Sequence, residues 1–340
     1  MIQITATDVD ALSLGCAILG SGGGGDVEAA ALLLSRTLSE GAVRLADPDE
    51  IDSVAPCALV GAVGSPTVML ERIPGHLEFT RAVRSLERYR DQEMQAVAPL
   101  EIGGVNGLLG VNAAAHLGLP LLDADAMGRA LPHLDQLVTV GSAALTPLAL
   151  AQPSGGVMLL DDLPDDAVEH AVRAVLPAMG TWAAVCLQPT TAAVIAATAV
   201  RGSVSRALLI GRALIAHSSG EYDEARLRRE CGLDILWQGV VAEVHRRDRD
   251  SALGTITLID QESTARVDFA HEYVAALVEG EVAAGSPDIV VLLDERSRHP
   301  IAVDRVRVGQ RLRIATLPAP PELIAAAPRP GATRTVEGHR

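Results

Sequence analysis

The segment Ile18-Leu-Gly-Ser-Gly-Gly-Gly-Gly-Asp-Val27 places five glycines in six positions, at Gly20 and at Gly22, Gly23, Gly24 and Gly25. Glycine loses more backbone freedom on folding than any other residue, about 0.5 to 1 kcal/mol relative to alanine, so the run is costly for a plain turn. Three uses justify it: positive φ, close approach of the main chain to another group, or N–H groups converging on an anion at the start of a helix capped by Asp26. Gly20-x-Gly22-x-x-Gly25 satisfies the dinucleotide fingerprint, but that motif follows a buried strand. Here the preceding residues have helical spacing, with Thr7 as N-cap and Val9, Leu12, Cys16 and Leu19 following. Gly20-x-x-x-x-Gly25 has P-loop spacing, yet Asp26 and Val27 stand where Lys and Ser or Thr are needed, and the chain contains no lysine. The segment reads as helix, glycine loop, helix.

Outward from the loop, Val27, Ala31, Leu34 and Leu38 predict a helix that starts at Asp26 and stops at Gly41. Cys57 to Val63 is an apolar run ended by Gly64-Ser65-Pro66, a buried strand entering a loop. Phe79, Ala82, Val83 and Leu86 mark an amphipathic helix, Leu100 closes a strand, and a helix is expected from about Gly107 to Leu117. Pro120 to Leu122 begins a strand that delivers Asp123-Ala-Asp125-Ala-Met-Gly128-Arg129, and Val157 to Leu160 is the last strand of this half. Alternating strands and helices predict an open α/β sheet, in which ligands bind beyond the carboxyl ends of the strands. Gly64–Thr67, Glu101–Asn106 and Asp123–Arg129 fall on that edge, and Gly20–Asp26 is placed to close over it.

Further on, helices are expected at Ala167–Met179 and Ser203–Ala216. From Asp234 the period becomes two, as in Val240–His245, Thr255–Ile259, Asp288–Leu293 and Gly309–Ile314, with turns at Arg246–Ser251 and Glu295–Pro300. The expected organisation is an α/β domain over 1–165 carrying the site, then a region over 166–340 with two helices and a β-barrel-like unit at about 233–318. The tail after Pro318, rich in Pro and Ala, reads as loosely ordered.

Composition narrows the partners. The 49% apolar fraction is ample for a core, but aromatics are only 2%, so Ala, Val, Leu and Ile must build it. A net charge of -15 argues against nucleic acid and against an anionic membrane surface, both of which need a basic footprint. No apolar run approaches the roughly 18 to 20 residues of a membrane span, and the start lacks a signal-peptide layout, so the chain reads as cytoplasmic. Cys16, Cys57, Cys186 and Cys231 are far apart and read as reduced buried thiols.

Asp123 and Asp125 are the leading chemical groups, because paired carboxylates bind a hard cation or divide acid and base roles. They are therefore candidate catalytic residues and candidate ligands of a divalent metal ion. Arg129 can neutralise the pair or hold a substrate carboxylate bidentately. Glu101 is a further candidate catalytic carboxylate beside a strand end, and Asn106 offers both donor and acceptor. Ser21, Gly22, Gly23, Gly24, Gly25 and Asp26 complete the candidate substrate-binding set. Of the nine histidines, His76 and His133 lie near the proposed edge, and no spacing makes a zinc site.

Four ordered segments resemble one family: Leu19-Gly-Ser-Gly-Gly-Gly-Gly-Asp26, Gly64-Ser-Pro-Thr-Val-Met-Leu-Glu-Arg72, Leu100-Glu-Ile-Gly-Gly-Val-Asn106 and Leu119-Pro-Leu-Leu-Asp-Ala-Asp-Ala-Met-Gly-Arg-Ala130. They are similar to the S-methyl thiohydantoin desulfurase family, once called DUF917, and Leu317-Pro-Ala-Pro-Pro321 resembles its C-terminal end. The chain departs from the family at Leu131-Pro132-His133, where Phe-Pro-Glu is usual. The resemblance implies a three-layer α/β sandwich with a mainly parallel sheet plus a C-terminal β-barrel-like domain. It also implies a hydrolase acting on a thiohydantoin or hydantoin-like ring, with activated water displacing sulfur. The alternative it leaves open is a non-catalytic substrate-binding subunit for a hydantoinase or oxoprolinase-type partner. A homo-oligomer is compatible with either.

Overall fold

The computed structural model describes residues 2–187, 189–246, 253–261 and 263–326. Its helices are α1 (Val9–Leu19), α2 (Val27–Leu38), α3 (Pro66–Glu71), α4 (Leu77–Arg90), α5 (Val105–Leu117), α6 (Asp165–Val175), α7 (Ala192–Thr198), α8 (Ser203–Ser218), α9 (Glu224–Cys231) and α10 (Pro321–Ala326). The first strands are β1 (Ile2–Ile4), β2 (Val43–Ala46), β3 (Pro56–Gly64), β4 (Ala96–Pro99), β5 (Leu121–Leu122), β6 (Ala124–Asp125), β7 (Leu148–Ala151), β8 (Val157–Leu160), β9 (Trp182–Cys186), β10 (Thr190–Thr191) and β11 (Val200–Arg201). The period-two region supplies β12 (Asp234–Arg246), β13 (Leu253–Asp260), β14 (Ser263–Ala270), β15 (Glu272–Val278), β16 (Glu281–Gly285), β17 (Ile289–Asp294) and β18 (Arg311–Leu317).

The large sheet runs β1-β2-β5-β4-β3-β9-β7-β8. Its centre, β2-β5-β4-β3, is parallel, and antiparallel strands extend it on either side. Both faces are covered, and β3 shows how: Ala58, Val60 and Ala62 join one core, while Cys57, Leu59 and Val63 join the other. The first core takes α1, α2, α4, α5 and α8, and the second takes α6 and α7, so the sheet is the middle of three layers. Strand β9 lies beyond residue 165 yet inserts between β3 and β7. Small residues let α1 and α8 cross at backbone contact: a Cβ on Gly15 would lie 1.8 Å from the Ala207 carbonyl oxygen, and one on Gly211 would lie 1.7 Å from that of Ala11.

The second sheet, β16-β15-β14-β13-β12-β18-β17, is antiparallel and curls into a half-barrel around Val241, Ile256, Leu258, Val267, Phe269 and Tyr273. Strand β17 joins the two halves. Ile289, Val291 and Leu293 face the α/β core, while Val290 and Leu292 face the half-barrel.

Several local expectations shift. Thr7 lies inside a 3-10 turn, Ala6–Asp8, whose N-cap is Thr5, and α1 follows directly. Helix α2 ends at Leu38 with Ser39 as right-handed cap, three residues short of Gly41. Helix α5 starts at Val105 instead of Gly107, which puts Asn106 in its first turn. Part of the expected loose tail is ordered as α10. Residues 247–251 of the expected turn at Arg246–Ser251, and 327–340 of the tail, lie outside the described residues. No helix among the described residues is long and apolar enough to cross a membrane.

Candidate functional site

The parallel strands β3, β4 and β5 deliver Gly64, Leu100 and Asp123 to one edge, as the alternation of elements requires. There the loop after β4 meets the glycine loop: Gly104 N–H donates to Cys16 O at 2.8 Å, Val105 N–H to Gly24 O at 2.9 Å, and Ala130 N–H to Leu19 O at 3.0 Å. A Cβ on Gly24, whose φ is +72°, would come within 2.9 Å of Gly104 Cα. On its other side the loop bears on the half-barrel. A Cβ on Gly22 would lie 2.3 Å from the Tyr273 ring, and one on Gly23 would lie 2.9 Å from His271 O. The glycines are first of all a joint between two walls.

Ser21 is buried within that joint. Its hydroxyl donates to Val290 O at 2.7 Å and Tyr273 O at 3.1 Å, and its carbonyl accepts from Tyr273 N–H at 2.7 Å. Asp26 caps α2 as expected, accepting from Glu28 N–H at 2.9 Å, and it also pairs with Arg305. The N–H groups of Gly24 and Gly25 make no hydrogen bond among the described residues.

Glu101 sits below the joint, 7% exposed. It accepts from Asn106 Nδ2 at 2.7 Å and from Leu131 N–H at 3.1 Å. Asn106 is fixed in turn by β3, accepting from Ala62 N–H at 2.6 Å and donating to Ala62 O at 3.1 Å. Burial pushes the Glu101 carboxyl up to about 8, against the pull of its two donors and with the charges of Asp125 and Glu272 adding to the rise.

The two aspartates that the sequence pairs have separate anchors. Asp123 accepts from Ser205 N–H at 3.0 Å and Ser205 Oγ–H at 2.5 Å, which ties it to the first turn of α8. Asp125 is fully buried, and its Oδ2 accepts from Gly128 N–H at 2.7 Å, Ile102 N–H at 2.9 Å and Met127 N–H at 3.1 Å. Burial raises its carboxyl to about 6, the hydrogen bonds opposing the rise. Among the described residues no group of three or more His, Cys, Asp or Glu side chains is gathered to hold a metal ion. A hard cation wants six or more oxygens; Asp123 and Asp125 Oδ2 are taken by N–H and O–H donors, and Asp125 Oδ1, buried without a partner among the described residues, is a single oxygen, so the donor set does not fit the expected divalent ion.

Arg129 is 1% exposed and bonds across to the half-barrel. Its Nη1 donates to Pro287 O at 3.0 Å and Asp288 O at 3.1 Å, and its Nε donates to Ala130 O. Burial lowers its proton affinity, and the charges of Glu272 and Asp288 counter that. Glu272, the first residue of β15, completes the cluster, although no sequence motif marks it. Burial raises its carboxyl to about 7, against the charges of Arg129 and His133. Glu101 and Arg129 both feel the charge of Glu272 where the α/β half meets the half-barrel. His133 is about half exposed, with Nδ1 3.0 Å from Glu169 Oε1, whereas His76 stacks on His116 at 4.0 Å, apart from the cluster's hydrogen bonds.

Two family models cover this arrangement: the S-Me-THD-like N-terminal domain matches residues 7–162 and the S-Me-THD-like C-terminal domain matches residues 164–328. The chain belongs to the S-methyl thiohydantoin desulfurase-like family. Among solved structures it is similar to an X-ray structure of a protein from Chromobacterium violaceum, a structural-genomics target, at 23% identity and a TM-score of 0.77 over 94% of this chain and 92% of the other. At that identity the likeness shows the fold. No curated protein matches the chain.

Proposed function

We propose that this member of the S-methyl thiohydantoin desulfurase-like family is a hydrolase that removes the sulfur substituent from a thiohydantoin-like five-membered ring. The observation that supports it is the presence of two carboxylates, Glu101 and Glu272, both raised by burial, with the charge of Glu272 adding to the rise at Glu101. At neutral pH Glu101 keeps its proton and serves as acid, while Glu272, poised near 7, serves as base. Water adds to the ring carbon that bears sulfur, and Glu272 takes one of its protons. The C–S bond breaks, Glu101 protonates the departing thiolate, and the second water proton ends on the ring nitrogen. The products are a ring carbonyl and a thiol, methanethiol for an S-methyl substrate. The amides of Gly24 and Gly25, without a partner among the described residues, are donors for the negative charge that develops on the ring. Arg129 fixes the two walls and keeps positive charge beside Glu272.

Purified protein mixed with a panel of thiohydantoins and their S-methyl derivatives tests this through loss of their ultraviolet absorbance and release of thiol. Turnover by the native chain, lost in Glu272→Gln, is the expected result. Binding without turnover would place the chain in the ring-holding role beside a partner enzyme.

A further inference from the structure

The large sheet ends in β8, and that edge is bare. Val157, Met158, Leu159 and Leu160 run in unbroken register along β7, with no charge, proline or bulge among them. Those are the devices that keep an exposed strand from adding another. By contrast β16, at the end of the half-barrel sheet, begins with Glu281 and pairs through a register shift. The hairpin leading into β8 fixes which of its backbone groups are free. Gln152 N–H donates to Gly156 O and Gly155 N–H to Gln152 O, both at 2.9 Å, so the next hydrogen-bonded pairs along the ladder are Leu150 with Met158 and Leu148 with Leu160. Val157 and Leu159 therefore turn their N–H and C=O groups away from β7, to the side where no strand follows among the described residues.

The side chains of β8 divide the same way. Met158 and Leu160 pack toward the second core, so Val157 and Leu159 take the face that carries α4, where they are 40% and 38% exposed. At one end of this row a Cβ on Gly155 would lie 3.3 Å from Arg81 Nη1 of α4, and Arg81 has no hydrogen bond or ion pair among the described residues. At the other end Asp161 is exposed and accepts from the Tyr89 hydroxyl of α4. The row is thus apolar in the middle, positive at one end and negative at the other.

We propose that β8 is the seat of a homodimer, in which a second copy of this chain adds its own β8 antiparallel across a two-fold axis and joins the two large sheets into one. Only residues whose backbone groups turn outward can face one another in bonded pairs, which fixes the parity of the register. Setting Val157 against the partner's Leu159 places Met158 on the axis and packs the two apolar rows together. It also brings Arg81, beside Gly155, to the partner's Asp161, and the two-fold axis repeats that contact at the other end. A shift of two residues one way would set Val157 against the partner's Asp161, and the other way would carry Asp161 past Arg81. Charge complementarity therefore selects the central register. So short an edge buries little surface, which makes the association a weak one.

Sedimentation equilibrium of the full chain at rising concentration is expected to show monomer and dimer in exchange. Leu159→Pro removes an outward N–H and leaves the ladder to β7 intact, so it is expected to keep the native melting temperature and lose the dimer. Arg81→Asp is expected to raise the dimer's Kd by about tenfold or more, and adding Asp161→Arg to it is expected to bring the Kd back. Should Leu159→Pro fail to fold, the charge exchange decides alone. A chain that stays monomeric, whether its edge is left bare or covered by a different protein, overturns the proposal. So does a dimer that survives Leu159→Pro, or one whose Kd Arg81→Asp leaves unchanged or Asp161→Arg fails to restore.

Discussion

The junction between the α/β half and the half-barrel has two unlike walls. On the α/β side, Glu101 and Asp125 are sealed in and held by N–H donors from neighbouring turns, so their carboxylates are fixed in place. On the half-barrel side, Glu272 begins an antiparallel strand, is only half-buried, and has Arg129 and His133 as charged neighbours. A fixed, dry carboxyl holds a proton well, and a freer one can give and take it. The division of labour follows from how each wall is built.

The largest effect should come from neutralising the two walls separately. Glu272→Gln and Glu101→Gln are each expected to lower kcat/KM by about 10²- to 10⁴-fold with the fold intact, measured by thiol release and circular dichroism. Asp123→Ala should cost stability at the start of α8 instead, with turnover per folded molecule kept. Turnover loss in Asp123→Ala at unchanged melting would return the chemistry to the aspartates.

Acidity sharpens the same contrast. With the base ionising near 7 and the acid near 8, activity is expected to rise through about pH 7 and fall past about 8. Stability carries a second signature. Glu101 is raised in the folded state, so the native chain binds a proton there more tightly than the unfolded chain does. Its contribution is complete below the ordinary value of 4.5 and is lost as pH rises toward about 8. Denaturant midpoints measured from pH 4 to pH 9 should show that decline in the native chain and less of it in Glu101→Gln.

The joint between the walls comes next in size. Gly22→Ala pushes a methyl group against the Tyr273 ring from a backbone at φ +77°, and should cost about 1 to 3 kcal/mol in chemical denaturation. Folded variant should still bind ring substrates, because Gly22 packs instead of touching ligand. Loss of binding at unchanged stability would give the glycine loop back its ligand role.

These contrasts explain what the residues alone could reveal. Helices α1, α2 and α4 were legible because each carries apolar residues at helical spacing, and strand β3 because its long apolar run is closed by Gly64-Ser65-Pro66. The carboxyl-edge convergence of Glu101, Asn106, Asp125 and Arg129 followed from that alternation. Strands β7 and β9 are short runs of Leu, Ala and Val buried on both faces, with no period to read, and β9 pairs far from its chain neighbours. Strand β15 escaped for another reason. Register shifts at Asp268/Phe269 of β14 and at Ala276/Leu277 of β15 itself interrupt its pairing with both neighbours, and Glu272 stands at the start of that disturbed strand. The glycine run was legible as a place of close approach, but not whether a ligand or Tyr273 does the approaching.

The smallest expected effect tests whether the joint is also a latch. Arg305, from the loop before β18, reaches across to Asp26 and lies 3.5 Å from Glu28 at the start of α2. Arg305 is about half exposed, so the pair should be worth only about 0.2 to 1 kcal/mol. Asp26→Ala should cost more, about 0.5 to 2 kcal/mol, because it also removes the N-cap of α2. A double-mutant cycle separates the two, since the cap term appears with and without Arg305 and the ion-pair term only with it. A coupling within the small range leaves Arg129, Ser21 and Tyr273 as what binds the walls. A coupling of several kcal/mol would mean that Arg305 clamps the junction, and the loop amides beside Asp26 would then depend on the half-barrel for their position.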